Sequence, residues 1–273
     1  MLKRLILCVM SFVLFVAVGG AHTAELHKGG AISFEGEFDK LKALKAIYGE
    51  LTLLKDGSYG EPAIWRDIAV PKPLSTYYHR DSKADVRTAF DSQITEDGIE
   101  RHVIITYSVP AEGFFQCHAC APLIGGAVFK RSADGWIIES QNKYITVIGK
   151  WGKTEKENIA IIEIGSGRYG VLFRGSDIHQ GYMSNYISLI VPYKNSLVES
   201  LQFFVEGPSI DECTGSSWEQ DIELSTVRNR KDRDGYYIMK ASIRYNKGDC
   251  GHVRPVKERR SYYFNKGKYQ RKK

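Results

Sequence analysis

The chain has 273 residues, of which 43% are hydrophobic and 26% are charged; this is the composition of a globular protein and excludes an intrinsically disordered one. Its formal net charge of +6 arises partly from a basic C-terminal tail. Because no stretch concentrates lysine and arginine beside aromatic residues, we expect no nucleic-acid partner.

The N-terminus has the pattern of a secretory signal peptide. Lys3 and Arg4 precede the apolar run Leu5–Val18, and small residues up to Ala24 suit cleavage. The run is shorter than the ~20 residues that span a bilayer, and no second run of this kind follows. We therefore predict that residues 1–24 are removed, that no transmembrane segment remains, and that the protein is bacterial and periplasmic or secreted.

Two segments after this leader have helical spacing. Between Phe38 and Tyr48, apolar residues recur every three or four positions, and Gly49 is a suitable C-terminal stop. Ser82–Phe90 is a second and weaker candidate. The first segment predicts an amphipathic N-terminal helix.

Most of the chain after His102 has the pattern of β-strands. Apolar residues alternate with polar ones over Val103–Val109 and again over Tyr237–Tyr245, which is the period of a half-buried strand. Asp134-Gly135 and Asn265-Lys266-Gly267 are hairpin turn signals between such segments. Further strands are predicted at Ala127–Lys130, Trp136–Glu139, Ile159–Ile164, Tyr169–Phe173, Ile187–Val191, Leu201–Val205, Tyr262–Phe264 and Lys268–Gln270.

Consecutive strands joined by short turns pair antiparallel. We therefore predict a mainly β fold, at the margin of α+β, in which antiparallel sandwich or barrel-like sheets carry one N-terminal helix. Residues 25–273 are expected to form a single exported domain, and a division into two subdomains near residues 206–217 is the alternative.

Four cysteines remain once Cys8 is removed with the leader. An even number of cysteines in an exported chain favours disulfides. Of the three possible connectivities, we favour Cys117–Cys120 together with Cys213–Cys250. The second pair would join two loop regions and stabilise the fold by about 4 kcal/mol on the chain-entropy estimate.

The motif Cys117-His118-Ala119-Cys120 also has the spacing of a redox-active thiol pair, in which His118 would favour the thiolate. The strand–helix–strand context of thioredoxin-like enzymes is missing, however, because Gly125 and Gly126 would end any helix within a turn. Covalent haem attachment needs His at the position of Ala121.

A zinc site formed by Cys117, Cys120, Cys213 and either Cys250 or His252 lacks a second close cysteine pair, and we expect no metal and no other cofactor.

Two further motifs suggest chemistry only superficially. Gly165–Gly170 matches a dinucleotide fingerprint, but a strand follows it where the fingerprint needs a helix, so we predict a glycine-rich hairpin. His179 lies two residues after Asp177, yet no nucleophile is marked for a base to activate.

The sequence thus favours an exported binding protein of the cell envelope, without its own catalysis, that recognises a protein or a glycan. The alternative is a thiol–disulfide redox protein or sensor that uses Cys117 and Cys120, with His118 between them.

Overall fold

The computed structural model describes residues 33–53, 59–61, 83–111, 117, 120–154, 158–179, 182–209, 221–232, 235–247 and 254–272. The described residues form helix α1 (Lys40–Tyr48) and fifteen strands: β1 (Ser33–Glu35), β2 (Thr52–Leu53), β3 (Tyr59–Glu61), β4 (Ala84–Glu96), β5 (Ile99–Pro110), β6 (Leu123–Arg131), β7 (Gly135–Val147), β8 (Ile159–Gly165), β9 (Arg168–His179), β10 (Tyr182–Tyr193), β11 (Ser196–Ser209), β12 (Asp221–Lys231), β13 (Tyr237–Lys247), β14 (Arg254–Asn265) and β15 (Lys268–Arg271). The predicted leader, residues 1–24, lies outside these ranges. Of the predicted division near residues 206–217, residues 206–209 belong to β11 and residues 210–217 lie outside the described ranges.

The strands form three antiparallel sheets. Sheet I has the order β1-β7-β6-β5-β4-β3-β2, sheet II the order β11-β10-β9-β8, and sheet III the order β12-β13-β14-β15. One sheet curls into half a barrel. The prediction of a mainly β fold with antiparallel sheets and one helix is confirmed. Within the described ranges, no helix is long and apolar enough to cross a bilayer.

Helix α1 is fixed at both ends by its own residues. The side chain of Asp39 accepts a hydrogen bond from the Lys42 amide at 2.7 Å, which caps the first turn. Gly49, with φ +90°, ends the helix where a side chain would be strained. Leu44 and Ile47 are buried against sheet I, so the predicted amphipathic helix is confirmed.

The elements are arranged in four layers, α1, sheet I, sheet II and sheet III, with an apolar core between each pair of neighbours. Sheet II lies between two other sheets, so its strands bury both faces. On β10, Leu189 packs towards sheet III and Ile190 packs towards sheet I, and neither is exposed. This explains the nearly continuous apolar runs of β8, β9 and β10.

The predicted helix at Ser82–Phe90 is wrong, because residues 84–90 belong to β4. A β-bulge between Thr88 and Phe90 interrupts the alternation. The buried residues Val86 and Ala89 are consequently three positions apart, which is also the spacing of a helix.

The predicted turns are confirmed. Residues 132–134 connect β6 to β7, and Lys266-Gly267 connects β14 to β15. The glycine-rich segment forms the β8–β9 hairpin, in which Gly167 has φ +67°.

Candidate functional site

Cys117 and Cys120 lie at disulfide distance, with their sulfur atoms 2.05 Å apart and their Cα atoms 5.0 Å apart. Cys120 is only 4% exposed and packs with Leu123 and Ala84, whereas Cys117 is partly exposed. The pair precedes β6 and does not lie at the start of a described helix. We call this pair the clasp.

The clasp is joined through the backbone to the segment that follows β7. The amide of Trp151 donates a hydrogen bond to the Cys117 carbonyl at 3.1 Å, and the amide of Gly152 donates one to the Cys120 carbonyl at 2.8 Å. The Cys120 amide also donates to the Cys117 carbonyl, at 3.0 Å. The segments before β6 and after β7 are therefore held together as one unit.

The segment after β7 is a tight turn that carries Trp151 at its tip. Lys150 and Lys153 exchange two backbone hydrogen bonds, of 3.1 and 3.0 Å. Trp151 and Gly152 between them have φ values of +54° and +69°, both positive as in type I′ turns. Gly149 allows the close approach, since a Cβ there would lie 2.2 Å from the Lys153 carbonyl oxygen.

A tryptophan is an unusual residue at this position. Positive φ costs an L-residue with a side chain about 1–2 kcal/mol, and asparagine and glycine are the usual choices in such turns. The strained conformation persists because the clasp hydrogen bonds to both central residues. The turn therefore keeps a tryptophan backbone in a fixed, strained conformation at its tip, at a cost in stability.

Trp151 is 47% exposed, although large apolar side chains are mostly buried elsewhere in the described chain. Lys153 is exposed beside it, and Lys150 anchors the other side of the turn through its Nζ, 3.4 Å from the Ser176 carbonyl oxygen. An exposed tryptophan in a turn that also carries two lysines has the composition of an interface anchor, because tryptophan loses little conformational entropy when it binds. We call Trp151 with its two flanking lysines the Trp151 tip.

Apart from the clasp and the Trp151 tip, a largely buried polar cluster lies at the β4–β5 hairpin. Arg101 is 8% exposed and donates to both carboxylate oxygens of Glu139, through Nε at 2.6 Å and Nη2 at 2.9 Å. Its Nη1 also donates to the Glu96 carbonyl oxygen at 2.7 Å, and its Nε lies 3.3 Å from a Glu96 carboxylate oxygen. Burial raises the pKa of Glu96 above its usual range.

Both carboxylates of this cluster are held by the same guanidinium, so the arrangement cross-links β4, β5 and β7. Arg101 and Glu139 are 38 residues apart in the chain, and no spacing between them identifies the pair.

His102 forms a third cluster, at the start of α1. Its ring stacks on Phe38 at 3.6 Å between centroids, and Trp136 meets it edge-on at 6.2 Å. The Nε2 atom lies 3.8 Å from an Asp91 oxygen, too far for a hydrogen bond. Burial is the main cause that lowers the pKa of His102.

Several predicted site residues lie outside the described ranges: His118, Cys213, Cys250 and His252. The second disulfide therefore stays a prediction. The strands around its two cysteines are described, and β12 begins at Asp221 opposite Arg244, close to the end of β13. The described residues bring together no group of three potential metal ligands.

No known protein family matches this chain, and no curated protein or solved structure is significantly similar to it.

Proposed function

We propose that the protein is an exported, disulfide-stabilised binding protein of the bacterial cell envelope and that it contacts its partner through the Trp151 tip. The observation that supports this proposal is the strained, exposed tryptophan held in place by the clasp. A conformation that costs stability is retained where the displayed side chain has a use. The leader pattern at residues 1–24 supports export, where disulfides persist.

The partner is a protein segment or a glycan that offers an apolar face together with acidic groups. The indole supplies a flat apolar surface, and Lys150 and Lys153 supply positive charge on either side of it. Both partner classes meet these requirements, so the experiment is designed to separate them.

The test compares the purified protein with Trp151→Ala in two assays, binding to an array of envelope glycans and cross-linked capture from an envelope fraction. Phe204→Ala is the matched control, because Phe204 is 56% exposed on β11. Truncation of an anchoring tryptophan costs about 2 kcal/mol or more, so the affinity should fall at least tenfold. Equal binding by the wild type and both variants would contradict the proposal.

The second candidate function is thiol–disulfide exchange at the clasp. It is favoured by one observation: Cys117 is partly exposed whereas Cys120 is 4% exposed, so an attacking thiol has access only to the first sulfur. The reduction potential of the clasp, measured with Cys213→Ser and Cys250→Ser as background, separates the two functions. A value below about −300 mV indicates a structural disulfide, and one near −120 to −200 mV with fast exchange indicates redox activity.

A further inference from the structure

The outer face of sheet III gathers basic residues that are far apart in the sequence. Its inner face is buried in the core, where Met239 of β13 and Tyr262 of β14 pack. Side chains of a strand alternate between its two faces, so residues an odd number of positions from these two point outward. Four exposed cations share this outer face, which we call the basic face: Lys240 on β13, Lys257 and Arg259 on β14, and Lys272 directly after β15.

The register of the strands brings these cations side by side. Lys240 pairs with Ser261, and the amide of Lys272 donates a hydrogen bond to the Ser261 carbonyl at 2.8 Å. Lys240 and Lys272 therefore flank Ser261 from the two neighbouring strands. Arg259 and Lys257 precede Ser261 on β14 by two and four positions. At the usual rise of a strand, all four cations have their Cα atoms within about 15 Å of that of Ser261.

The acidic residues of the outer face lie along its β12 edge. Asp221 is held by Arg244, whose Nη2 donates to its carboxylate at 2.7 Å, so these two charges cancel. Glu223 is exposed and pairs in register with Ser242 of β13. Among the described residues, no carboxylate lies within ion-pair distance of the four cations. The four cations against the remaining carboxylate, Glu223, give the basic face a net charge of +3.

Tyr263 adds an aromatic side chain to this surface. It lies two positions after Ser261, is 38% exposed, and donates its hydroxyl hydrogen to Gln270 Oε1 at 3.2 Å. Tyrosine is enriched at membrane–water interfaces, where its ring lies at the level of the lipid headgroups. Lysine and arginine are attracted to the negative surface potential of anionic lipids. The outer face therefore has the composition of a surface that rests on anionic headgroups.

We propose that the basic face docks on the surface of a bilayer that contains anionic phospholipids. The lysine and arginine side chains contact the lipid phosphates, and Tyr263 lies among the headgroups. The cations are spread over an open sheet face, which suits a two-dimensional array of headgroups better than a single small anion. Each contact is weak, so the affinity is the sum of several and falls as salt screens them. The Trp151 tip follows β7 of sheet I, so docking does not depend on the partner of that tip.

The first test is co-sedimentation of the purified protein with two kinds of vesicle. One contains phosphatidylglycerol and phosphatidylcholine in the ratio 3:7, and the other contains phosphatidylcholine alone. The protein should bind the anionic vesicles at least tenfold more tightly than the neutral ones, and an increase from about 20 to about 200 mM salt should remove most of this difference. No binding to the anionic vesicles, or equal binding to both kinds, overturns the proposal.

The second test reverses exposed charges on two opposite outer layers of the fold. Lys257→Glu with Arg259→Glu should weaken binding to the anionic vesicles at least tenfold. Lys42→Glu with Lys45→Glu, on the exposed side of α1, changes the net charge by the same amount and should bind like the wild type. An equal loss in both variants would assign the binding to net charge alone, and no loss in the β14 variant would exclude the basic face; either result overturns the proposal.

The third test asks for a gain of binding. Asp221→Asn with Glu223→Gln removes both carboxylates of the β12 edge and leaves Arg244 free to contact lipid, so binding to the anionic vesicles should become at least threefold tighter. Unchanged or weaker binding contradicts the proposal. A duplex DNA that binds more tightly than the anionic vesicles, and loses its binding in Lys257→Glu with Arg259→Glu, would assign the face to nucleic acid and overturn the assignment to a membrane.

Discussion

At the scale of single residues, Trp151 combines an aromatic side chain with a backbone conformation that favours asparagine. Trp151→Asn should therefore raise the free energy of unfolding by about 1 kcal/mol, because the positive φ is no longer strained, and should weaken partner binding at least tenfold, as is expected of Trp151→Ala. Chemical denaturation measures the first effect and the binding assay the second.

The control for this prediction is Lys194→Asn, since Lys194 has φ +58° in the β10–β11 turn. It should stabilise the protein by a similar amount and leave binding unchanged. If Trp151→Asn destabilises the protein instead, the turn depends on the indole for its own packing, and the interpretation as a displayed anchor loses its main support.

The lowered pKa of His102 predicts how the stability of the fold changes with pH. Because burial lowers its pKa in the folded protein, protonation is easier in the unfolded chain, where the pKa is about 6.5. The stabilisation from the neutral ring is thus complete above about pH 6.5 and is lost as the pH falls towards the lower, folded-state pKa. His102→Phe keeps the stack on Phe38 and removes the titrating group.

Thermal denaturation at pH 7.5 and pH 5.0 measures this effect. Between pH 7.5 and pH 5.0, the melting temperature should fall further in the wild type than in His102→Phe. An equal loss in both proteins would assign the acid sensitivity to other groups.

At the scale of elements, the cluster of Arg101, Glu96 and Glu139 links the β4–β5 turn to strand β7. Arg101→Met leaves the carboxylates of Glu96 and Glu139 close together in a partly buried site, and removal of one partner from a buried pair costs about 3 kcal/mol. The control is Arg244→Met, whose ion pair with Asp221 is about half exposed on both sides and should contribute less than about 1 kcal/mol. Urea denaturation measures the loss of stability in each variant. Equal losses in the two variants would contradict the structural role given to the cluster.

The elements also show where sequence patterns succeed and fail. The alternation over Tyr237–Tyr245 identifies β13 correctly because one of its faces is largely buried and the other is exposed or half-buried. β4 was mistaken for a helix because its bulge changed the spacing of the buried residues. β12 was not predicted at all, since as an edge strand it buries no residue fully and its apolar content is low.

The candidate site follows less directly from local sequence patterns than the strands do. The clasp could be proposed from two cysteines three positions apart. Its contact with Trp151 is set by the return of β7 beside β6, and no local pattern in the sequence records that pairing. The Arg101–Glu139 pair was missed for the same reason.

At the scale of the whole molecule, sheet II joins the two larger cores, because its strands bury one face against sheet I and the other against sheet III. The described residues belong to one compact unit, Ala31–Lys273. If sheet II is shared in this way, a defect in either core weakens the other. We therefore expect the three sheets to unfold in a single transition, without a separate subdomain after β11.

Leu189→Ala and Ile190→Ala test this expectation, because these neighbours on β10 face sheet III and sheet I respectively and are both fully buried. Each substitution should lower the free energy of unfolding by about 3 kcal/mol, the usual cost of such a cavity. Hydrogen exchange followed along urea denaturation reports sheets I and III separately, and both should shift to the same midpoint in each variant. If Leu189→Ala shifts sheet III alone while sheet I keeps the wild-type midpoint, the chain contains two independent units, and its division falls between β11 and β12, the alternative that the sequence left open.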